Sequence, residues 1–345
     1  MTDTTVRPAD ASAAPGSPAI GPGAPVLAFD VGGTTIKAAY VDADGTPGAV
    51  LRTPSPAFGP GSAEAVVDAV AELAGRLTPP GAAPRAIGLT LPGIVDDETG
   101  FATYSENLGW RDVDFAALCR ARLALPVAIG HDVRSGGTAE MELGAGRGHR
   151  TAVVVVLGTG VSAAVFVDGR PVVARGYAGE IGHAVVIPRG EACVCGNQGC
   201  LEAVSSAAAV ARRYSRMSGR EVAGAREVVE AMAAGDTIAA AVWDTAVEGL
   251  ALGLSHVASL IQPEVIVLGG GLAEAGDHLF APLRARLASL LTYVPVPPLV
   301  KARAGENAGL LGSALLARRA AGRGTDRRTD DSTDDSTDDR GEQHR

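Results

Sequence analysis

The sequence predicts an α/β protein built from two related halves. Three observations carry that expectation. Hydrophobic residues make up 46% of the chain, aromatics only 4%, and there are 45 glycines. Apolar runs of strand length alternate with stretches of helical spacing. Two Gly/Thr loops of one design, residues 30–35 and 158–162, each lie between two apolar runs. A chain of 345 residues is long enough for two domains with filled cores.

In chain order, residues 1–25 are mostly Ala, Pro, Gly, Ser and Thr without apolar periodicity and read as a disordered leader. It holds no helical pair that could bind DNA. Residues 26–29 and 36–41 are apolar and read as strands of a hairpin, with DVGGTT as the turn. That placement separates the glycine pair from a dinucleotide fingerprint or a Walker loop, which both lead from strand to helix. Small residues let backbone N–H groups and the Thr34 and Thr35 hydroxyls approach phosphate oxygens; an ordinary tight hairpin is the alternative. Asp30, at the end of the first strand, is a candidate to hold hydrated Mg2+.

Residues 62–77 have helical spacing, 86–91 read as a strand, and Pro92-Gly93 opens a second hairpin over 94–101. Asn107 stands in a polar loop, where its amide suits a substrate hydroxyl and the neighbouring Trp110 suits a buried turn. Residues 114–123 read as a helix and 126–130 as a buried strand, followed by His131-Asp132-Val133-Arg134. Charged residues just past a buried strand are where α/β proteins place their chemistry, although Asp132 could also simply cap a helix over 136–143. Residues 152–157 are an almost pure Val strand entering Gly158-Thr159-Gly160, with a further strand over 163–167. The repetition of the first loop suggests a phosphate gripped from both halves.

The stretch 179–202 gathers His183, Cys193, Cys195 and Cys200, three of the chain's four cysteines lying within eight residues. In a chain whose start lacks the basic-then-apolar order of a secretory peptide, this reads as a Cys3His zinc site and not a disulfide framework. A closed four-ligand site is structural, and a rigid clip can aim Glu180, His183 and Glu202 at a polar ligand. Three helices follow, over 207–217, 223–234 and 239–260. A buried strand over 263–268 then ends in Gly269-Gly270-Gly271, where a nucleotide's base and ribose or merely a tight connection would fit. A helix over 281–291 and a last one over 308–320, packing back on the first domain, complete the fold. Residues 322–345 hold eight acids and five arginines and read as a disordered acidic tail. The net charge of −9 argues against a nucleic-acid surface. No apolar run approaches eighteen residues, so no membrane span is expected and a cytoplasmic protein is.

DVGGTTIK (30–37), HD (131–132), GTGVS (158–162), GEIGH (179–183), CVCGNQGCLE (193–202) and LGGG (268–271) stand in one order over residues 26–320. On those motifs the chain resembles the ROK sugar kinases and their repressor relatives. The resemblance implies the two-domain actin-like, ribonuclease H-like ATPase fold: an N-terminal α/β domain over 26–130, completed by 308–320, and a C-terminal domain over 131–307, with a cleft between them. It implies transfer of phosphate from ATP-Mg2+ to a hexose, most often at the 6-hydroxyl, with Asp132 as general base and glucose the commonest substrate. Asn107, His131, Asp132, Glu180, His183 and Glu202 fall on its sugar-binding positions. Asp30, Gly32, Gly33, Thr34, Thr35, Gly158, Thr159, Gly160, Gly270 and Gly271 fall on its ATP-binding positions, and members commonly pair as homodimers.

Two departures stand out. His131 and Arg134 replace the Asn residues usual on either side of the catalytic Asp, which would change which hexose fits or make binding respond to pH near neutrality. Thr35 stands where many members carry Lys. A sugar-responsive repressor, which needs a DNA-binding segment, and a sugar-binding protein with weak catalysis are the alternatives to a kinase.

Overall fold

The computed structural model describes residues 18–330. The first half contains β1 (Val26–Val31), β2 (Thr35–Val41), β3 (Leu51–Pro54), α1 (Ser62–Leu77), β4 (Ile87–Leu91), β5 (Ile94–Asp96), β6 (Phe101–Tyr104), β7 (Arg111–Asp114), α2 (Phe115–Arg122) and β8 (Val127–His131). The second half starts with α3 (Asp132–Leu143), β9 (Ala152–Leu157), β10 (Val161–Val167) and β11 (Arg170–Pro171). It continues with α4 (Leu201–Ser205), α5 (Ala207–Ser218), α6 (Ala225–Ala233), α7 (Thr237–Ile261), β12 (Val265–Gly269), α8 (Asp277–Leu290), β13 (Leu299–Lys301) and α9 (Ala308–Asp330).

The two main sheets repeat one topology. Their orders are β3-β2-β1-β4-β8 and β11-β10-β9-β12-β13. In each, the first three strands form an antiparallel meander and the last two run parallel to the central strand. This duplication is consistent with an actin-like ATPase fold. Both Gly/Thr loops are hairpin turns, closing on Val31 opposite Ile36 and on Leu157 opposite Val161. A small third sheet, β5-β6-β7, extends the first half.

The central strands β9 and β12 are buried at every residue but Val156, as near-continuous Val, Ile and Leu runs require. One core lies between the second sheet and α5–α8, with Val153, Leu254 and Leu283 fully buried. Another joins the first sheet to α1 and α2. The helices α3 and α9 pack on each other, and α9 also covers β1 and β4, where Ser313 Oγ accepts the Phe29 N–H at 3.0 Å. One helix, α7, is long and apolar enough to cross a membrane, but over half of that stretch is packed inside the protein. It is the spine of the core beside the second sheet, touching α4, α5, α6 and α8.

Four expectations change. Residues 18–25 of the expected leader are tied down: Ile20 is buried, and the Ile20 and Gly23 amides donate to Gly45 O and Ala43 O. The remainder of the leader, residues 1–17, lies outside the described residues. The last helix runs on to Asp330, nine residues into the expected tail, and residues 331–345 lie outside the description.

The helix expected from 136 begins at Asp132, because His131 caps it. The helix expected from 281 begins at Asp277 and carries Pro282 in its interior. Pro282 has no N–H to give to His278 O, one turn back, and the Trp243 indole donates to that carbonyl instead at 2.9 Å.

Candidate active site

The site is assembled from the ends of buried strands. Asp30 is the penultimate residue of β1 and Gly32 opens the turn after it. His131 ends β8 and Asp132 begins α3. Gly158, Thr159 and Gly160 turn from β9 into β10. Asn107 lies on the β6–β7 loop, against Gly33. Glu180 and His183 sit in the segment before the cysteines, and Glu202 in the first turn of α4.

These residues surround two cavities that share one wall. The smaller, about 300 Å3, is lined by Asn107, His131, Asp132, Glu180, His183 and Glu202, with Gly158, Thr159 and Gly160 at its edge. The larger, about 500 Å3, is lined by Asp30, Gly32, Asp132, Gly270, Gly271 and Glu274, among others. Both volumes fall in the range of small-molecule sites. Asp132 lines both. Gly33, Thr34 and Thr35 are on the first turn but line neither cavity. Lys37 faces away toward the carbonyl of Glu306, at the rim of the larger cavity.

Backbone geometry requires glycine at Gly270, and the absence of a side chain at Gly160 leaves room for the Glu202 carboxylate. A Cβ on Gly160 would stand 2.5 Å from Glu202 Oε2. Gly270 has φ +83°, and a Cβ there would stand 2.4 Å from Leu157 O. Glu202 has a further task, since its Oε2 accepts the Val161 N–H at 2.9 Å. One carboxylate thus faces the smaller cavity and pins the 158–160 turn.

Charge is concentrated around Asp132. Burial, together with the nearby Asp30 carboxylate, pushes its pKa up to about 7, against the pull of the Val133 amide. Burial likewise raises Asp30, although Thr90 Oγ1 donates to it at 2.9 Å. Glu180 is raised by burial, with His183 opposing. His131 is 4% exposed, and burial and the Arg134 charge push its pKa down to about 3. It stays neutral near pH 7, so a protonation of His131 cannot make binding respond to pH there.

Sequence reasoning missed the clamp behind this turn. The Arg134 guanidinium, 1% exposed, donates to Asp97 Oδ2 at 3.1 Å and Oδ1 at 3.0 Å, and to the carbonyls of Val95, Gly176 and Ala178. It thereby joins the β5–β6 turn, α3 and the segment leading to Glu180. Arg134 was visible as a departure from the usual pattern, but Asp97 looked like one more acid in a surface turn.

His183, Cys193, Cys195 and Cys200 present four ligand atoms that lie within 4.8 Å of one another. Cys193 Sγ is 3.7 Å from His183 Nδ1, and Cys195 Sγ is 3.7 Å from Cys200 Sγ. A tetrahedron of Zn–S bonds of roughly 2.3 Å has edges of about 3.8 Å, so the donor set fits zinc in type and spacing. All four cysteines of the chain are free thiols. The other ring nitrogen, His183 Nε2, lies 3.9 Å from Glu180 Oε2, on the cavity side.

The sequence profile of the ROK family matches residues 26–320. The glucokinase of Thermotoga maritima is 31% identical over 314 residues, 86% of this chain and 98% of the relative. Among solved structures, a ROK hexokinase from Thermus thermophilus superposes with a TM-score of 0.74 at 33% identity, covering 87% of this chain and 99% of that one. A ROK family glucokinase from Streptomyces griseus, in complex with glucose and AMPPNP, gives 0.72 at 28% identity, covering 86% and 99%. Regulators match as well: NagC of Escherichia coli is 28% identical over 68% of this chain and 60% of its own length.

Proposed function

The chain belongs to the ROK family, and from that premise we propose that it is an ATP-dependent hexose kinase acting on the 6-hydroxyl of glucose. The observation that carries this reading is Asp132 on the wall common to both cavities. A base in that place can take a proton from a hydroxyl bound on one side while the oxygen attacks a phosphate bound on the other. A carboxyl titrating near 7 is matched to that task at neutral pH, because it is ionised often enough to accept the proton.

In this reading the smaller cavity takes the sugar. Each sugar hydroxyl both donates and accepts, and Asn107, Glu180, His183 and Glu202 supply amide, imidazole and carboxylate partners for that. The larger cavity takes the nucleotide, with Gly32 toward the phosphates and Gly270 and Gly271 toward the adenosine, and the 158–160 turn, at the edge of the smaller cavity, would meet the phosphate being transferred. Asp30 would hold hydrated Mg2+, which offsets phosphate charge when bound. Zinc, on His183 and the three cysteines, would fix the imidazole so that Nε2 faces the sugar. The glucokinase relatives support glucose among the hexoses, a cytoplasmic location and a homodimer go with the family reading, and the division into domains at 130/131 follows the two repeated sheets.

Coupled ADP release, with purified protein, ATP-Mg2+ and a panel of hexoses and N-acetylhexosamines, tests the proposal. Turnover of roughly 1–100 per second on one sugar is the expected result. No turnover on any sugar, with binding still measured by calorimetry, would replace the kinase with a sugar sensor.

A further inference from the structure

We propose that Arg134, anchored by Asp97, is a positioning residue for Glu180, fixing the strap of residues 174–179 that carries the Glu180 carboxylate to the smaller cavity. The inference rests on the kinase reading for what Glu180 binds, and on hydrogen bonds alone for the hold on the strap. The strap needs such a hold. Ala174 and Arg175 are consecutive non-glycine residues in the left-handed region, with φ of 47° and 56°. That conformation is costly for residues with a side chain and persists only where surrounding contacts impose it. Arg134 Nη1 donates to Gly176 O at 3.2 Å and to Ala178 O at 3.5 Å. Among the described residues no other hydrogen bond reaches either carbonyl. Beyond them, Gly179 O accepts the Ala163 N–H of β10 at 2.9 Å, and Glu180 is the next residue.

The other end of the clamp is in the first half of the chain. Asp97 Oδ2 and Oδ1 accept from Arg134 Nε and Nη2 at 3.1 and 3.0 Å, and Val95 O of β5 accepts from Nη2 as well. Five hydrogen bonds thus match the five N–H groups of a guanidinium. The strap lies tightly against β5, since a Cβ on Gly176 would stand 2.7 Å from Val95 O. Arg134 is 1% exposed and lines neither cavity, so it reaches a bound sugar only through the residues it holds. A lysine keeps the charge but carries three donors on one nitrogen, and cannot span Asp97, β5 and the strap together. The charge matters here, because burial raises the Glu180 pKa while His183 and Arg134 oppose it. Arg134→Lys therefore removes the fork and leaves that opposition in place.

Arg134→Lys, Glu180→Gln and the double variant test this by calorimetry with glucose, which requires no turnover. Arg134→Lys should weaken glucose binding about 10- to 100-fold, the scale of one hydrogen bond to a charged group. In the Glu180→Gln background the same change should cost less than about threefold, because the carboxylate it positions is gone. An equal loss in both backgrounds is what a merely structural role would give, and it would overturn the proposal.

Amide exchange in the sugar-free protein separates the clamp from the kinase reading. The amides of Tyr177, Ala178 and Ile181 donate to backbone carbonyls within the strap region. They should exchange at least about tenfold faster in Arg134→Lys, and by a larger factor than those of α7, whose change reports global stability. Equal factors would remove the clamp, while a wild type that binds no hexose would remove the kinase reading and leave the exchange result to decide the clamp. If Arg134→Lys does not fold, the wild type decides. The three strap amides should be protected before sugar is added, with glucose adding less than about tenfold. Strap amides that gain protection only with sugar would show that the ligand and not Arg134 orders the strap, and would overturn the proposal.

Discussion

Replacing Asp132 with Asn should make the protein more stable above neutral pH while removing its activity. The folded carboxyl titrates near 7, against an ordinary value of 3.8, chiefly because burial and Asp30 disfavour its charge. At about 1.36 kcal/mol per pH unit, keeping it ionised in the folded state costs roughly 4 kcal/mol above pH 7. Its side chain is 30% exposed to the cleft, where water screens part of that cost, and we expect about 2 kcal/mol to be recovered. The amide that replaces the carboxylate retains an oxygen for the Val133 N–H, so little else changes.

The sign follows from proton binding. Between pH 3.8 and 7 the folded protein holds a proton that the unfolded chain has released, so the wild type loses stability as pH rises through that window. The advantage of the Asp132→Asn variant should therefore be full at pH 8 and shrink steadily on acidification toward 4. Thermal unfolding of both proteins across that range is the assay, with a midpoint gain of about 4–8 °C expected at pH 8 by the scaling for large domains. Sugar phosphorylation should fall by about 100- to 10,000-fold, the contribution of a general base. A gap independent of pH, or a variant less stable than wild type at pH 8, would refute the argument that this site burdens the fold with charge.

Other perturbations test other joints. Cys195→Ser, or removal of metal with a strong chelator, should release one zinc per chain by atomic absorption. Sugar affinity should fall in the same titration, because His183 loses its anchor. Arg134→Met should lower stability by about 3–5 kcal/mol in urea unfolding, since it strands the Asp97 carboxylate in a largely buried place. The double variant with Asp97→Asn should regain part of that loss. Leu254→Ala opens a void at the fully buried face of α7 and should cost about 2–5 kcal/mol without changing the sugar specificity profile.

The sequence made legible what depends on local pattern. Helix α1 spans residues 62–77 as its apolar spacing requires, and both Gly/Thr hairpins close where the apolar runs end. His183, Cys193, Cys195 and Cys200 converge as their spacing predicted. What was hidden depends on partners far along the chain. The α3 cap was missed because His is not a usual capping residue, and only the fold shows the Arg134 N–H beneath its Nδ1. Pro282 is the second residue of the helix expected over 281–291, and only Trp243, 39 residues earlier, explains how a helix interior accommodates it. Asp97 has no signal of its own, since its importance comes entirely from the guanidinium folded against it.

Two of these hidden partners, the Arg134 amide and Asp97, converge on one turn, and the reason is electrostatic. The first residues of α3 place Asp132 at a helix N-terminus, whose dipole favours negative charge. Yet Asp30 and Glu180 face the same spot, and burial of all three raises their pKa values. A loose carboxylate there would take up a proton or swing toward cleft water. Arg134 counters the crowding with a positive charge that is itself fixed by four backbone and side-chain partners, and so cannot swing out to pair with Asp132 directly. His131, buried beside Asp132 and neutral, adds no second cation that would quench the base. A buried cation two residues on and the Val133 amide on Oδ1 together allow a carboxyl to titrate near 7 without losing its orientation, which a base between two cavities needs.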